Sequence, residues 1–326
     1  MFSVIIPLYN KAIYVEKAIW SVLNQTCQEF ELILVNDGST DDPLPPNGGD
    51  KELRLQKFGS FNHKITIIEQ RNQGVSVARN NGVKIARYDY IAFLDADDWW
   101  EPTFLEQMKG LIEEFPQAGI YGSSYFIVKN GKFIQADIGV DAGFKHGPIN
   151  YLQVYAKTLY MPLTSISTII KKEIFVSEHG FKPLLKLGED FDLWIRVCTK
   201  YPAAFLNIPL AFYNQDVDLK NRAIGLKLYE PEQHMLFTNY GDLTFDPSFR
   251  NLYEKLAVYS LLPYYLENKN KKEIDLILNG INWKNHGLKD RLCYMVLPKK
   301  VVKLWLKFLK YGSMVKKKYF TDINKK

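Results

Sequence analysis

The sequence offers no disulfide framework. Its three cysteines, Cys27, Cys198 and Cys293, are odd in number, far apart and without metal-ligand spacing; they fit a reducing, cytoplasmic compartment. No run of about 20 uncharged apolar residues exists, so no spanning helix is expected. The first residues lack a basic lead and carry too short an apolar run for a signal peptide. There is no internal repeat. No glycine-rich, basic phosphate loop follows the first apolar run, where Pro7, Leu8, Tyr9, Asn10 and Lys11 stand instead; this weighs against a nucleotidyltransferase. Acid is nearly absent from one end: residues 291–326 hold ten Lys and one Arg against the single acid Asp322, so the net charge of +6 hides a slightly acidic body. A basic tail of this kind fits an anionic surface. Nucleic acid is not expected as a partner, because charge is the only cue and no motif accompanies it.

What remains is ample for a core: 326 residues, 47% of them hydrophobic, enough for one large domain with an appendage or for two domains. Short β-rich runs at Ser3–Pro7, Glu31–Val35, Lys64–Ile68 and Tyr90–Leu94 alternate with helical patterns. One helix carries Val15, Ala18, Ile19, Val22 and Leu23, with Asn10 as its N-cap; a second runs from Val75 to Ala86; a third, behind Pro102, carries Leu105, Met108, Leu111, Ile112 and Phe115. Strands alternating with helices predict an α/β fold with a doubly wound, mostly parallel, Rossmann-like sheet. Residues 40–62 read as an exposed, mobile insertion. Residues 118–146 read as β-hairpins with Asn130-Gly131 as a turn. Helix returns near Asp190–Tyr201, a strand follows at Ala203–Ile208, and the chain beyond about 226 reads as helical. The expected domains are 1–225 and a helical region 226–326 ending in a basic amphipathic tail, 291–326.

Four segments place polar residues where strands end. After the fourth strand, Asp95, Asp97 and Asp98 crowd one turn; carboxylates this close repel unless a cation or donors separate them. A solvated turn is the plain alternative, and a hard divalent cation on nucleotide phosphates the sharper one. Asp37 follows the second strand, placed either for an Asx-turn or to accept from the N–H of a base. Gly74 opens the helix carrying Arg79, whose positive end suits an anion, although a surface ion pair is the simpler role. Glu189 and Asp190 begin another helix, where capping alone would account for them.

Together, Pro7-Leu8-Tyr9-Asn10, Asn36-Asp37-Gly38-Ser39, Arg79-Asn80, Asp95-Ala96-Asp97-Asp98 and Gly188-Glu189-Asp190 resemble the family 2 inverting glycosyltransferases of the GT-A fold, over roughly residues 2–220. The resemblance implies a sugar transferase (a hexosyl- or N-acetylhexosaminyl-transferase) using a nucleotide-diphosphate donor, with UDP expected. Pro7, Tyr9, Asn10, Asp37, Arg79, Asp95 and Ala96 match its nucleotide-binding positions. Asp95 and Asp97 match its ligands for Mn²⁺ or Mg²⁺, Asp190 its general base, and Glu189 a supporting acid. The histidine that many members carry after the last core strand is missing from Phe212–Asp218; Asp216 is an oxygen-ligand substitute, and the run through Arg222 a lid. The implied acceptor is a glycan or lipid-linked glycan, as in surface polysaccharide synthesis at the cell envelope. The alternative is a catalytically silent nucleotide-binding scaffold subunit. After Pro298, a helix sets Lys299, Lys300, Lys303, Lys307 and Lys310 on one face and Val301, Val302, Leu304, Trp305, Leu306, Phe308 and Leu309 on the other. That pattern fits an interfacial helix on the inner face of an anionic plasma membrane; its alternative is a docked helix with lysines in solvent.

Overall fold

The computed structural model describes residues 1–41, 56–217 and 228–308. Most of the expected insertion (42–55), the lid segment from Asp218 through Arg222, and the tail beyond 308 (with Leu309, Lys310 and Lys316–Lys318) lie outside the described residues.

Largely apolar runs become central strands. β1 (Phe2–Leu8) and β2 (Phe30–Asn36) are buried along their whole length, as expected for strands covered on both faces. With β3 (Ile65–Glu69) and β4 (Tyr90–Phe93) they form a parallel block in the order β3-β2-β1-β4. The sheet continues through β9 (Thr168–Lys171), antiparallel to both neighbours, to β6 (Ile120–Lys129), β10 (Ala203–Asn214) and the short β5 (Trp99–Trp100). β7 (Lys132–Gln135) closes a hairpin on β6 through Asn130-Gly131, and β8 (His146–Ile149) pairs antiparallel with β10. The fold is thus α/β, with a mostly parallel sheet and helices C-terminal to it.

Helices α1 (Ala12–Leu23), α2 (Val75–Ile85) and α3 (Phe104–Glu114) bury the apolar stripes read from sequence. Each fully buried aliphatic side chain is worth about 1.5–3 kcal/mol against exposure. Two ends differ from expectation. Asn10 does not cap α1; it takes φ +52°, and its carboxamide oxygen accepts from the Thr40 N–H at 2.8 Å. The α1 start is capped by Asp41, which accepts from the Ala12 N–H at 2.9 Å. Pro102 precedes α3, which begins two residues later with Thr103 before it. Close packing fixes α2: a methyl at Gly82 would lie 2.5 Å from Ile5 on β1, so glycine lets the helix settle on the sheet.

The insertion is not wholly exposed. Within 56–64, Phe58 is 1% exposed and meets Trp20 edge-on, because an aromatic ring in a polar loop still gains by burial. The chain divides into two compact units, Met1–Leu252 and Tyr253–Lys326. Residues 228–252, expected with the second region, belong to the first, where Leu187 pairs with His234 and Met235 packs against Gly188. The second unit contains helices at Leu262–Glu267, Lys271–Asn279 and Leu288–Arg291 and a helical run over 299–308.

Candidate active site at the carboxyl rim of the sheet

The parallel strands β1, β2 and β4 end at one rim, where open α/β sheets bind ligands. Pro7 lies within β1 opposite Val35, and Tyr9, half exposed, and Asn10 leave its end. Asp37 follows β2 and is 2% exposed. Its carboxylate accepts from Gln70 Nε2 (2.7 Å) and from the Gln73 and Gly74 N–H groups (2.8 Å each). It therefore ties the loop before α2 to the sheet, and that loop sets the start of the helix carrying Arg79.

Arg79, in the first turns of α2, is the hub. Only 2% exposed, it donates to Asp95 Oδ1 at 2.7 Å, Glu189 Oε1 at 3.1 Å and Ser165 Oγ at 3.2 Å, and lies over the Phe181 ring at 5.2 Å. Burial alone would lower its pKa, but Asp95 and Glu189 outweigh it and hold the guanidinium charged. One side chain thus joins the acidic turn after β4 to the start of helix α6 (Glu189–Cys198), which begins after α4 (Tyr151–Thr158) and α5 (Lys172–Ser177). Ser165 and Phe181 carry no sequence signal that marks them as its partners.

In the acidic turn, Asp98 N–H bonds the Asp95 carbonyl at 3.0 Å, and Ala96 is buried between them. The three acids face different environments. Asp95 meets Arg79. Asp97 Oδ2 accepts from Lys11 Nζ at 2.6 Å, and burial followed by the charge of Asp95 raises its pKa against the pull of Lys11. Asp98 is 2% exposed and accepts from the Asn214 N–H at 2.7 Å, while Oδ2 has no hydrogen-bond partner. Burial, then Asp97 and Asp95, push it well above the carboxylate range. Asp98 thus fastens the turn to β10, and its carboxyl takes up a proton more readily than a free one.

At the start of α6, Gly188 takes φ +78°, and a methyl there would lie 2.3 Å from Met235. Asp190, half buried, accepts from the Phe191 N–H at 2.8 Å. Burial, then Glu189, raise its carboxyl to about 7, with Arg79 pulling the other way. A carboxyl poised there can exchange a proton near neutral pH.

Asp216 is drawn elsewhere. Its two oxygens accept from the Asn130 and Gly131 N–H groups, so it clamps the β6–β7 turn. Among the described residues, no three His, Cys, Asp or Glu side chains form a cluster able to hold a metal. Two carboxylates nevertheless fit a hard cation whose remaining ligands are phosphate oxygens and water. The Lys11 ammonium on Asp97 is already a cation in contact with that turn.

Residues 3–175 match the family Glycosyl transferase family 2, and the chain belongs to that family. An uncharacterized glycosyltransferase of Rickettsia bellii is 32% identical over 198 residues, covering 61% of this chain and 26% of that protein. Glycosyltransferase GlyA of Streptococcus pneumoniae is 37% identical over 124 residues, covering 38% and 16%. Chondroitin synthase of Escherichia coli is 26% identical over 248 residues, covering 73% and 32%. The chain thus spans a third or less of the length of these relatives. The crystal structure of S. aureus TarS 1–349 in complex with UDP-GlcNAc has the same fold, with a TM-score of 0.65 at 17% identity, covering 90% of this chain and 81% of that one.

Proposed function

We propose that the chain transfers a sugar, with inversion, from a UDP-sugar to a hydroxyl of a glycan or lipid-linked glycan. The observation that carries this reading is Arg79, which joins Asp95 to Glu189 and so sets the acidic turn beside the helix start that bears Asp190. In the reaction, the Asp190 carboxylate takes the proton of the acceptor hydroxyl. The oxygen of that hydroxyl bonds to the anomeric carbon as the bond to the diphosphate breaks, and the nucleoside diphosphate leaves from the opposite face. One base and no covalent intermediate give inversion. Arg79 pairs with Glu189 beside Asp190 and limits how far the Asp190 carboxyl rises. Asp37, Pro7, Tyr9 and Asn10 border the nucleotide side, and Asp95 and Asp97 are the residues that would hold Mn²⁺ or Mg²⁺. Such an ion, when bound, supplies positive charge to the departing diphosphate.

UDP-GlcNAc is the first donor to examine, because it is the ligand of TarS, which shares the fold. The test is release of UDP from UDP-GlcNAc, UDP-glucose and UDP-galactose, with Mn²⁺ and with chelator. Metal-dependent release from at least one donor is expected. Tight UDP binding without turnover of any donor, with acceptor oligosaccharides supplied, would favour the silent scaffold.

A further inference from the structure

Unit Tyr253–Lys326 contains a helical run over 299–308 that leaves an apolar row uncovered. Two of its lysines are engaged by partners within the unit. Lys299 Nζ donates to the Tyr265 carbonyl and to Asn268 Oδ1, both at 2.6 Å, and lies 3.9 Å from the Tyr265 ring centre. Lys303 pairs with Glu267 at 2.9 Å. Val302 is fully buried, whereas Val301, Leu304 and Phe308 are 45%, 70% and 71% exposed. These three lie within about 60° of arc at 100° per residue. With Trp305 and Lys307 they line one shallow depression. Leu288, Met295 and Val296, in the preceding turns, are also exposed.

Single exposed apolar residues need no explanation, but a row of them on one helix face does. Lys300 and Lys307, both exposed, fall on the flank of this row, about 40–60° from Leu304. Beyond residue 308 the sequence adds six more lysines against one acid, Asp322. Apolar residues facing outward, bordered by cations, match the headgroup boundary of an anionic bilayer, where the apolar row enters the acyl edge and lysines meet phosphates. We infer that the Val301–Leu304–Phe308 face seats this unit on an anionic membrane surface. The inference stands apart from the sugar-transfer reading, because it uses no residue of the rim.

Flotation of the full chain with vesicles of phosphatidylglycerol and phosphatidylcholine tests it. Binding to the anionic vesicles is expected, weakening with salt, with little binding to phosphatidylcholine alone. L304E/F308E should lower the bound fraction at least tenfold while leaving the melting temperature and UDP release unchanged, since both side chains already face water. K300Q/K307Q should weaken binding several-fold and flatten the salt dependence. Undiminished binding by L304E/F308E would overturn the inference, leaving the distal lysines as the only attachment. It would equally be overturned if the wild type ignored vesicles and formed a dimer in sedimentation velocity that L304E/F308E dissolved, because the face would then join two copies.

Discussion

Arg79 and Lys299 show two uses of a cation in one chain. Arg79 is sunk among Asp95, Glu189 and Ser165 at the sheet rim, where its charge holds two acidic segments together. Lys299 binds a backbone carbonyl and a carboxamide on its own unit, in a helical run whose Val301, Leu304 and Phe308 are exposed. Buried charge must be matched group by group, because each unpaired ion costs several kcal/mol. A lysine near the surface carries no such demand, so its neighbours are set by packing. The lesson is that the rim is a rigid network and the helical unit a presented surface.

The largest expected effect comes from breaking the rim. Arg79→Met leaves Asp95 and Glu189 facing each other and should cost about 3–5 kcal/mol of stability, measurable by urea denaturation. Arg79→Lys should rescue little, since one ammonium cannot span both acids. Next is Asp190→Asn, expected to keep UDP affinity within about twofold while cutting transfer by about 10²–10⁴, read by calorimetry and product assay. With Asp190 at about 7, wild-type kcat/KM should rise as pH passes through 7, because the base acts when deprotonated. The stability sign is opposite. A carboxyl raised on folding stabilises below its unfolded value near 4 and loses that contribution as pH rises through about 7; melting temperatures of Asp190→Asn should lack this decline. A smaller effect follows at Lys11. Lys11→Met frees Asp97 of its ion pair and should tighten Mn²⁺ binding in the presence of UDP by about twofold to fivefold, by titration calorimetry. Smallest are Ile13→Ser and Leu276→Ser, one in each unit and both more than three-quarters exposed; each should stay within about 0.5 kcal/mol. A large loss at Leu276 would mean that the helical unit has a hidden partner there.

Much of the parallel block was legible in the sequence. β1 and β2 are largely apolar runs, and Asp37 and the Asp95–Asp98 turn stand where β2 and β4 stop, so strand ends and polar clusters identify each other. The helix starting at Glu189 was legible from the paired acids before an apolar repeat. β9 was not: four residues behind a Ser- and Thr-rich stretch carry little pattern, and their place between β4 and β6 depends on pairing 50–80 residues away. Lys11 read as one residue of a turn, since its partner Asp97 lies 86 positions on. Asp216 read as a spare oxygen ligand because the hairpin it clamps comes from another part of the chain. The tail helix was legible as amphipathic, but which side faces out depends on Tyr265, Asn268 and Glu267, which no helical period reveals.

The reversed direction of β9 alters what the sheet can offer. The mutually parallel strands β1, β2 and β4 bring residues to the rim from their last positions. An antiparallel strand arrives there at its beginning, so the turn that feeds it is delivered to the same place. Ser165, three residues before β9, reaches Arg79 by this route, and Trp100 Nε1 steadies the turn through the Ile166 carbonyl at 2.6 Å. A sheet with an inverted strand in its middle can therefore draw on both entrances and exits of its strands to furnish one edge.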